Sequence, residues 1–148
     1  MSQPVHGRAL AELAIQISQL HTNKVEVVFK PHPAELHYGE PSYFRKVQLS
    51  GVTIADRNSD LYLLFAQSSW QVGVYSTALY EGLCFGVACF VARLPGCEHM
   101  KPLIDIGLAR IIDDHHDVDL DWSVDPQDAQ ALFAQPSREK VEKILSYS

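Results

Sequence analysis

Between Val25 and Ile112 the chain alternates short apolar runs, rich in Val and Ile, with stretches of helical spacing, and no hairpin turn joins one run to the next. The runs are Val25–Lys30, Val52–Ala55, Gln71–Tyr75, Val87–Ala92 and Ala109–Ile112. Strands joined through helices run parallel, their crossovers are right-handed, and the resulting sheet is covered on both faces. The pattern therefore predicts an α/β fold: a Rossmann-like, doubly wound parallel sheet of about five strands with helices on both faces.

Local signals set the boundaries. Leu10, Leu13, Ala14, Ile17 and Leu20 recur at helical spacing over Arg8 to His21. Val25–Lys30 reads as a central, nearly buried strand that Pro31-His32-Pro33 ends abruptly, and a loop with a helix follows over Ala34 to Val47. Asp60 and Ser76 are placed to cap the helices after the second and third strands, and Gly86 to end the second of these. A Pro95-Gly96 turn leads to a helix over Lys101 to Ile106. After an acidic stretch from Asp113 to Asp125, Pro126 and Ser137 open two terminal helices. A domain of this class normally opens on a strand, whereas this chain opens on a helix. Met1–Pro4 reads as the tail of a lost first strand, which would leave the Leu10 to Leu20 face partly uncovered and favour a homo-oligomer.

With 148 residues, 47% of them hydrophobic, the chain suits a single domain, 1–148, whose end, 113–148, holds the acidic loop and terminal helices. Its 12 basic and 18 acidic residues give a net charge of -6, which argues against nucleic acid as a partner. No apolar run is long enough to span a bilayer and the start lacks the order of a secretory signal, so a soluble cytoplasmic protein is expected. Cys84, Cys89 and Cys97 lie in or beside apolar segments without zinc-ligand spacing, and are read as buried thiols.

In an open parallel sheet, ligands bind beyond the carboxyl ends of the strands. Three positions there carry chemistry. Lys30-Pro31-His32-Pro33 holds an imidazole on a stiff backbone, suited to donate to a phosphate oxygen, though a turn histidine bonded to backbone fits the same string. Ser76 and Thr77 start a helix whose exposed amides favour an anion, and an ordinary N-cap is the plainer explanation. Glu81, about one turn further on, suits a ribose diol or is a solvated helix residue. Together they describe a socket for a nucleoside phosphate. His115 and His116 among Asp113, Asp114 and Asp117 read as a solvated acidic loop and not a metal site.

The strings V-V-F-K-P-H-P-A-E, V-T-I-A-D, D-L-Y-L-L, S-T-A-L-Y-E-G-L-C-F-G-V and P-G-x-E-x-M resemble the C-terminal, donor-binding domain of bacterial two-domain (GT-B) glycosyltransferases of surface polysaccharide biosynthesis. Sialyltransferases with an HP motif and polyglycerol-phosphate polymerases are the kinds it most resembles, over about Gln3 to Ile112. The resemblance implies that His32, with Lys30, and Ser76 or Thr77 contact the donor phosphate, that Glu81 contacts its ribose, and that Asp56, Gly96 and Glu98 approach the base or the donor. It implies metal-independent transfer with His32 catalytic, no cofactor beyond a nucleotide-activated donor as substrate, and an acceptor domain supplied in cis or by a partner. A nucleotide-sugar 2-epimerase-like domain and a non-catalytic remnant of the same fold are the alternatives.

Overall fold

A computed structural model describes residues 6–37 and 39–132. The readings placed on Met1–Pro4 and on the helix after Ser137 lie outside these residues. The described chain runs α1 (Gly7–Leu20), β1 (Val28–Phe29), α2 (Phe44–Leu49), β2 (Thr53–Ile54), α3 (Leu61–Ala66), β3 (Trp70–Gly73), α4 (Thr77–Cys84), β4 (Ala88–Ala92), α5 (Lys101–Asp105), β5 (Ala109–Ile112) and α6 (Pro126–Leu132). Short 3₁₀ turns occupy Pro33–Leu36, Cys97–Met100 and His115–Asp117.

Every strand pairing is parallel, as the crossovers require, and the chain is α/β. The strands do not share one ladder, however. β1 pairs with β2, and β3-β4-β5 form a second sheet with β4 in the middle. The expected run Val25–Lys30 is correspondingly cut to two ladder residues, of which Phe29 is buried and Val28 is 42% exposed. The expectation of a central, nearly buried strand is thereby corrected: among the described residues β1 has a partner on one side only and is an edge. β4, paired on both sides, is buried at every residue.

The loop-and-helix expected over 34–47 resolves into the Pro33–Leu36 turn and α2, separated at Pro41, whose carbonyl accepts from the Phe44 amide at 3.0 Å. The capping expectations agree with the structure. Asp60 Oδ1 accepts from the Tyr62 amide at 2.8 Å, and Ser76 Oγ from the Ala78 amide at 3.1 Å. At the far end of α4 the Val87 amide donates to the Gly82 carbonyl and the Gly86 amide to that of Leu83. This Schellman closure places Gly86 in the left-handed region, at φ 75°, where a side chain would be strained.

α1 binds the two sheets together. Ala11 and Ile15 pack with Phe29, Phe44, Val47 and Val52 on the first sheet. Ile17 packs with Phe90, Ile112 and Val118 on the second. The opposite side of the second sheet is covered by α4, α5 and α6 through Leu79, Leu83, Leu103 and Ala129. Cys89 lies in that core at 0% exposure, and burial pushes its thiol up to about 12. The expectation of three buried thiols fails for Cys84, which is exposed because it lies on the outer side of α4, and Cys97 is half-buried. No helix among the described residues is long and apolar enough to cross a membrane.

Candidate functional site

The turn after β1 is built by its prolines. His32, preceding Pro33, is held extended at φ -68° and ψ 137°, and its Nδ1 accepts from the Ala34 amide at 3.1 Å, opening the 3₁₀ turn. An accepting Nδ1 is unprotonated in the neutral ring, so the proton lies on Nε2 and His32 offers a single N–H donor of fixed tautomer. Both sequence readings of this residue therefore meet in one side chain: it is bonded to backbone, and that bond orients its donor. Lys30 is occupied differently. Its Nζ donates to the carbonyls of Asp56 at 2.9 Å and Arg57 at 3.1 Å, tying the exit of β1 to that of β2. Asp56 in turn accepts from the Asn58 amide at 2.8 Å, a local Asx-turn in an exposed loop.

At the second position Ser76 is extended, at φ -173°, and spends its hydroxyl oxygen on capping, while Thr77 is exposed. Glu81 is half-buried, one turn into α4. The helix is braced from below: the Gln71 side chain of β3 donates to the Leu79 carbonyl at 2.9 Å and fills the space where a Cβ at Gly82 would go.

Tyr75, immediately before Ser76, gathers the neighbouring loop. Its ring lies so close to Gly96 that a Cβ there would overlap it, and Gly96 has φ 96°. Glu98 Oε2 accepts from the Gly96 amide at 3.0 Å, and the His99 ring stands 5.3 Å from Tyr75. Ser76, Gly96 and Glu98 are thus brought together through one aromatic ring.

The start of α1 links this group to the His32 turn. His6, 7% exposed, has its ring 6.2 Å from Tyr75 in an edge-on contact. The next residue, Gly7, has the Glu35 carboxylate where a Cβ would lie, and Glu35 is three residues past His32. Glu35 also accepts from the Tyr43 hydroxyl at 2.5 Å. Burial, then this carboxylate, hold the Tyr43 hydroxyl above its ordinary value, so it stays a donor. Because the first turn of α1 carries no acidic residue, Glu35 supplies the negative charge its N-terminus favours. An added anion would be repelled there, which leaves the start of α4 as the better anion position. Lys30 and Asp56 lie instead at the β1–β2 exits.

Sequence reasoning missed His6, Glu35 and Tyr75. His6 and Glu35 act through tertiary contacts that no local spacing encodes, whereas Tyr75 is flagged only by its place between a strand and a capping serine. Among the described residues, no group of three or more His, Cys, Asp or Glu side chains is placed to hold a metal ion. The His115 and His116 rings lie 4.1 Å apart, tilted by 37°, in a turn closed by a capping box of Asp114 and Asp117. A shallow cleft of about 150 Å³ lies between α1 and the ends of β4 and β5, lined by Glu12, Leu13, Arg93, Leu94 and Asp113 among others. It contains none of the candidates, and it is smaller than the roughly 300–1,000 Å³ of an ordinary ligand pocket. Comparison with protein-family models, with curated proteins and with solved structures finds no match to this chain.

Proposed function

We propose that the chain is the donor-nucleotide-binding half of a two-domain glycosyltransferase, with its two sheets forming the wings of one doubly wound, Rossmann-like arrangement. The observation that carries this reading is the junction at the start of α1, where the His32 turn, through Glu35, and the α4 start, through Tyr75, reach adjacent residues, Gly7 and His6. Both groups follow parallel strands at their carboxyl ends, where ligands of such sheets bind. The donor phosphates meet the amides at the start of α4 and the Thr77 hydroxyl, with the Nε2–H of His32 as a further donor. These groups stabilise the charge that builds on the nucleotide as the glycosyl bond breaks. Glu81 accepts from the ribose diol. A ligand held on such an open surface needs a second wall, which an acceptor domain provides together with the base that takes the acceptor's proton. The work is metal-independent in this reading, because protein donors do the neutralising.

Calorimetric titration with CMP, CDP, UDP and GDP tests the reading. We expect one diphosphate to be preferred, His32→Ala to weaken phosphate binding with little loss of stability, and Glu81→Ala to reduce discrimination between ribo- and deoxyribonucleotides. Absence of binding by every nucleotide would identify the chain as a remnant that kept the fold without the reaction. Preference for UDP with indifference to the His32 change would favour the epimerase-like alternative.

A further inference from the structure

Among the described residues a single polar side chain is buried, that of His6, at 7% exposure. It stands at the N-cap position of α1 and makes no capping bond there. No hydrogen bond or ion pair among the described residues engages its nitrogens, and its ring meets that of Tyr75 edge-on. Such a contact needs only an aromatic ring, and a phenylalanine would make it without burying two nitrogens. Nε2 of His21 and Nδ1 of His115 also lack partners, but both atoms are sealed from the outside. The nitrogens of His6 are not among the sealed atoms, so a ligand can reach them.

Tyr75, which the His6 ring touches, immediately precedes the Ser76 cap of α4. At that cap the Ala78 amide donates to Ser76 Oγ and the Leu79 amide to the Ser76 carbonyl, which leaves the Thr77 amide as the backbone donor of the first turn. One amide and the Thr77 hydroxyl are few donors for a phosphate, whose oxygens accept several strong bonds. Lys30 does not make up the number, because its ammonium is spent on the carbonyls of Asp56 and Arg57. The helix start is thus short of donors, and beside it stands a buried donor short of an acceptor. We infer that His6 is a further phosphate-binding residue, whose ring N–H donates to the phosphate of a nucleotide held at the start of α4. The inference rests on the nucleotide-binding reading and adds to it a residue from α1. A buried N–H left unpaired costs the free chain stability that the bound phosphate restores.

The test compares the full chain with two variants: His6→Phe, which keeps an aromatic edge for Tyr75, and the smaller His6→Leu. Each is titrated calorimetrically with CMP, CDP, UDP and GDP, and each is unfolded by heat without nucleotide. We expect both variants to bind the preferred nucleotide about ten-fold more weakly. At least one of them should unfold no earlier than the unaltered chain, since an apolar group has replaced an unpaired buried donor. In the unaltered chain, the NMR signals of the His6 ring nitrogens should move as nucleotide is added. A lower thermal midpoint in both variants means that the chain itself holds the imidazole, and overturns the inference. Unchanged affinity in both, with unmoved ring signals, overturns it and leaves nucleotide binding in place. Binding of none of the four nucleotides overturns the inference together with the reading beneath it.

Discussion

The first sheet and the second are built from similar sequence and end up enclosed to different degrees. β1 and β2 contribute two ladder residues each, and Val28 is 42% exposed, whereas β4 keeps all five of its residues out of water between two partners. The difference lies in neighbours and not in residue types: Val and Ile runs form a buried strand only where both flanks are paired. The sheet beside His32 is therefore the more exposed of the two, and the sheet that leads to Ser76 holds the better enclosed strand.

Urea unfolding of Phe90→Ala and Phe29→Ala probes that contrast most strongly. Phe90 is fully enclosed and its truncation should cost about 5 kcal/mol, while Phe29, nearer an edge that can relax, should cost about 3 kcal/mol. Equal losses would break the comparison. Next comes Gly96→Ala, which forces a side chain into the left-handed region and against Tyr75; a loss of about 1–3 kcal/mol is expected, together with altered Tyr75 fluorescence or ring shifts. Ser76→Ala removes the cap of α4 and should lower stability by about 1 kcal/mol, read as a shift in thermal midpoint. The smallest effect belongs to the exposed loop after β5. The amides of Asp113 and Asp114 hold the Asp117 carboxyl below its ordinary value of 3.8. Its contribution is therefore present above that value and fades as pH falls through the lowered one. Asp117→Asn should flatten this acid limb of the stability curve and leave the neutral range nearly unchanged.

Much of the layout was legible because it is encoded locally. Asp60, Ser76 and Gly86 mark helix ends through bonds within a few residues of themselves and Pro126 through its fixed φ, and each stands where its type predicted. The division into two sheets was not legible, since a strand's apolar pattern says nothing about which strand lies beside it. The same reason hid the exposure of Cys84, whose helix has an outer side that only packing defines. At the candidate site, the positions of His32 and Ser76 after their strands followed from the alternation of elements. The tautomer of His32, the diversion of Lys30 to two carbonyls and the placing of Glu35 over Gly7 required coordinates, because each depends on chain brought from elsewhere or on a single hydrogen bond.

The contact of Tyr75 with Gly96 has a mechanical outcome. With no side chain at Gly96 to act as a spacer, the segment before α4 and the segment after β4 pack directly against each other. A side chain at position 96 would hold the two loops apart, so the nearness of Ser76 to the Gly96–Glu98 turn depends on there being none.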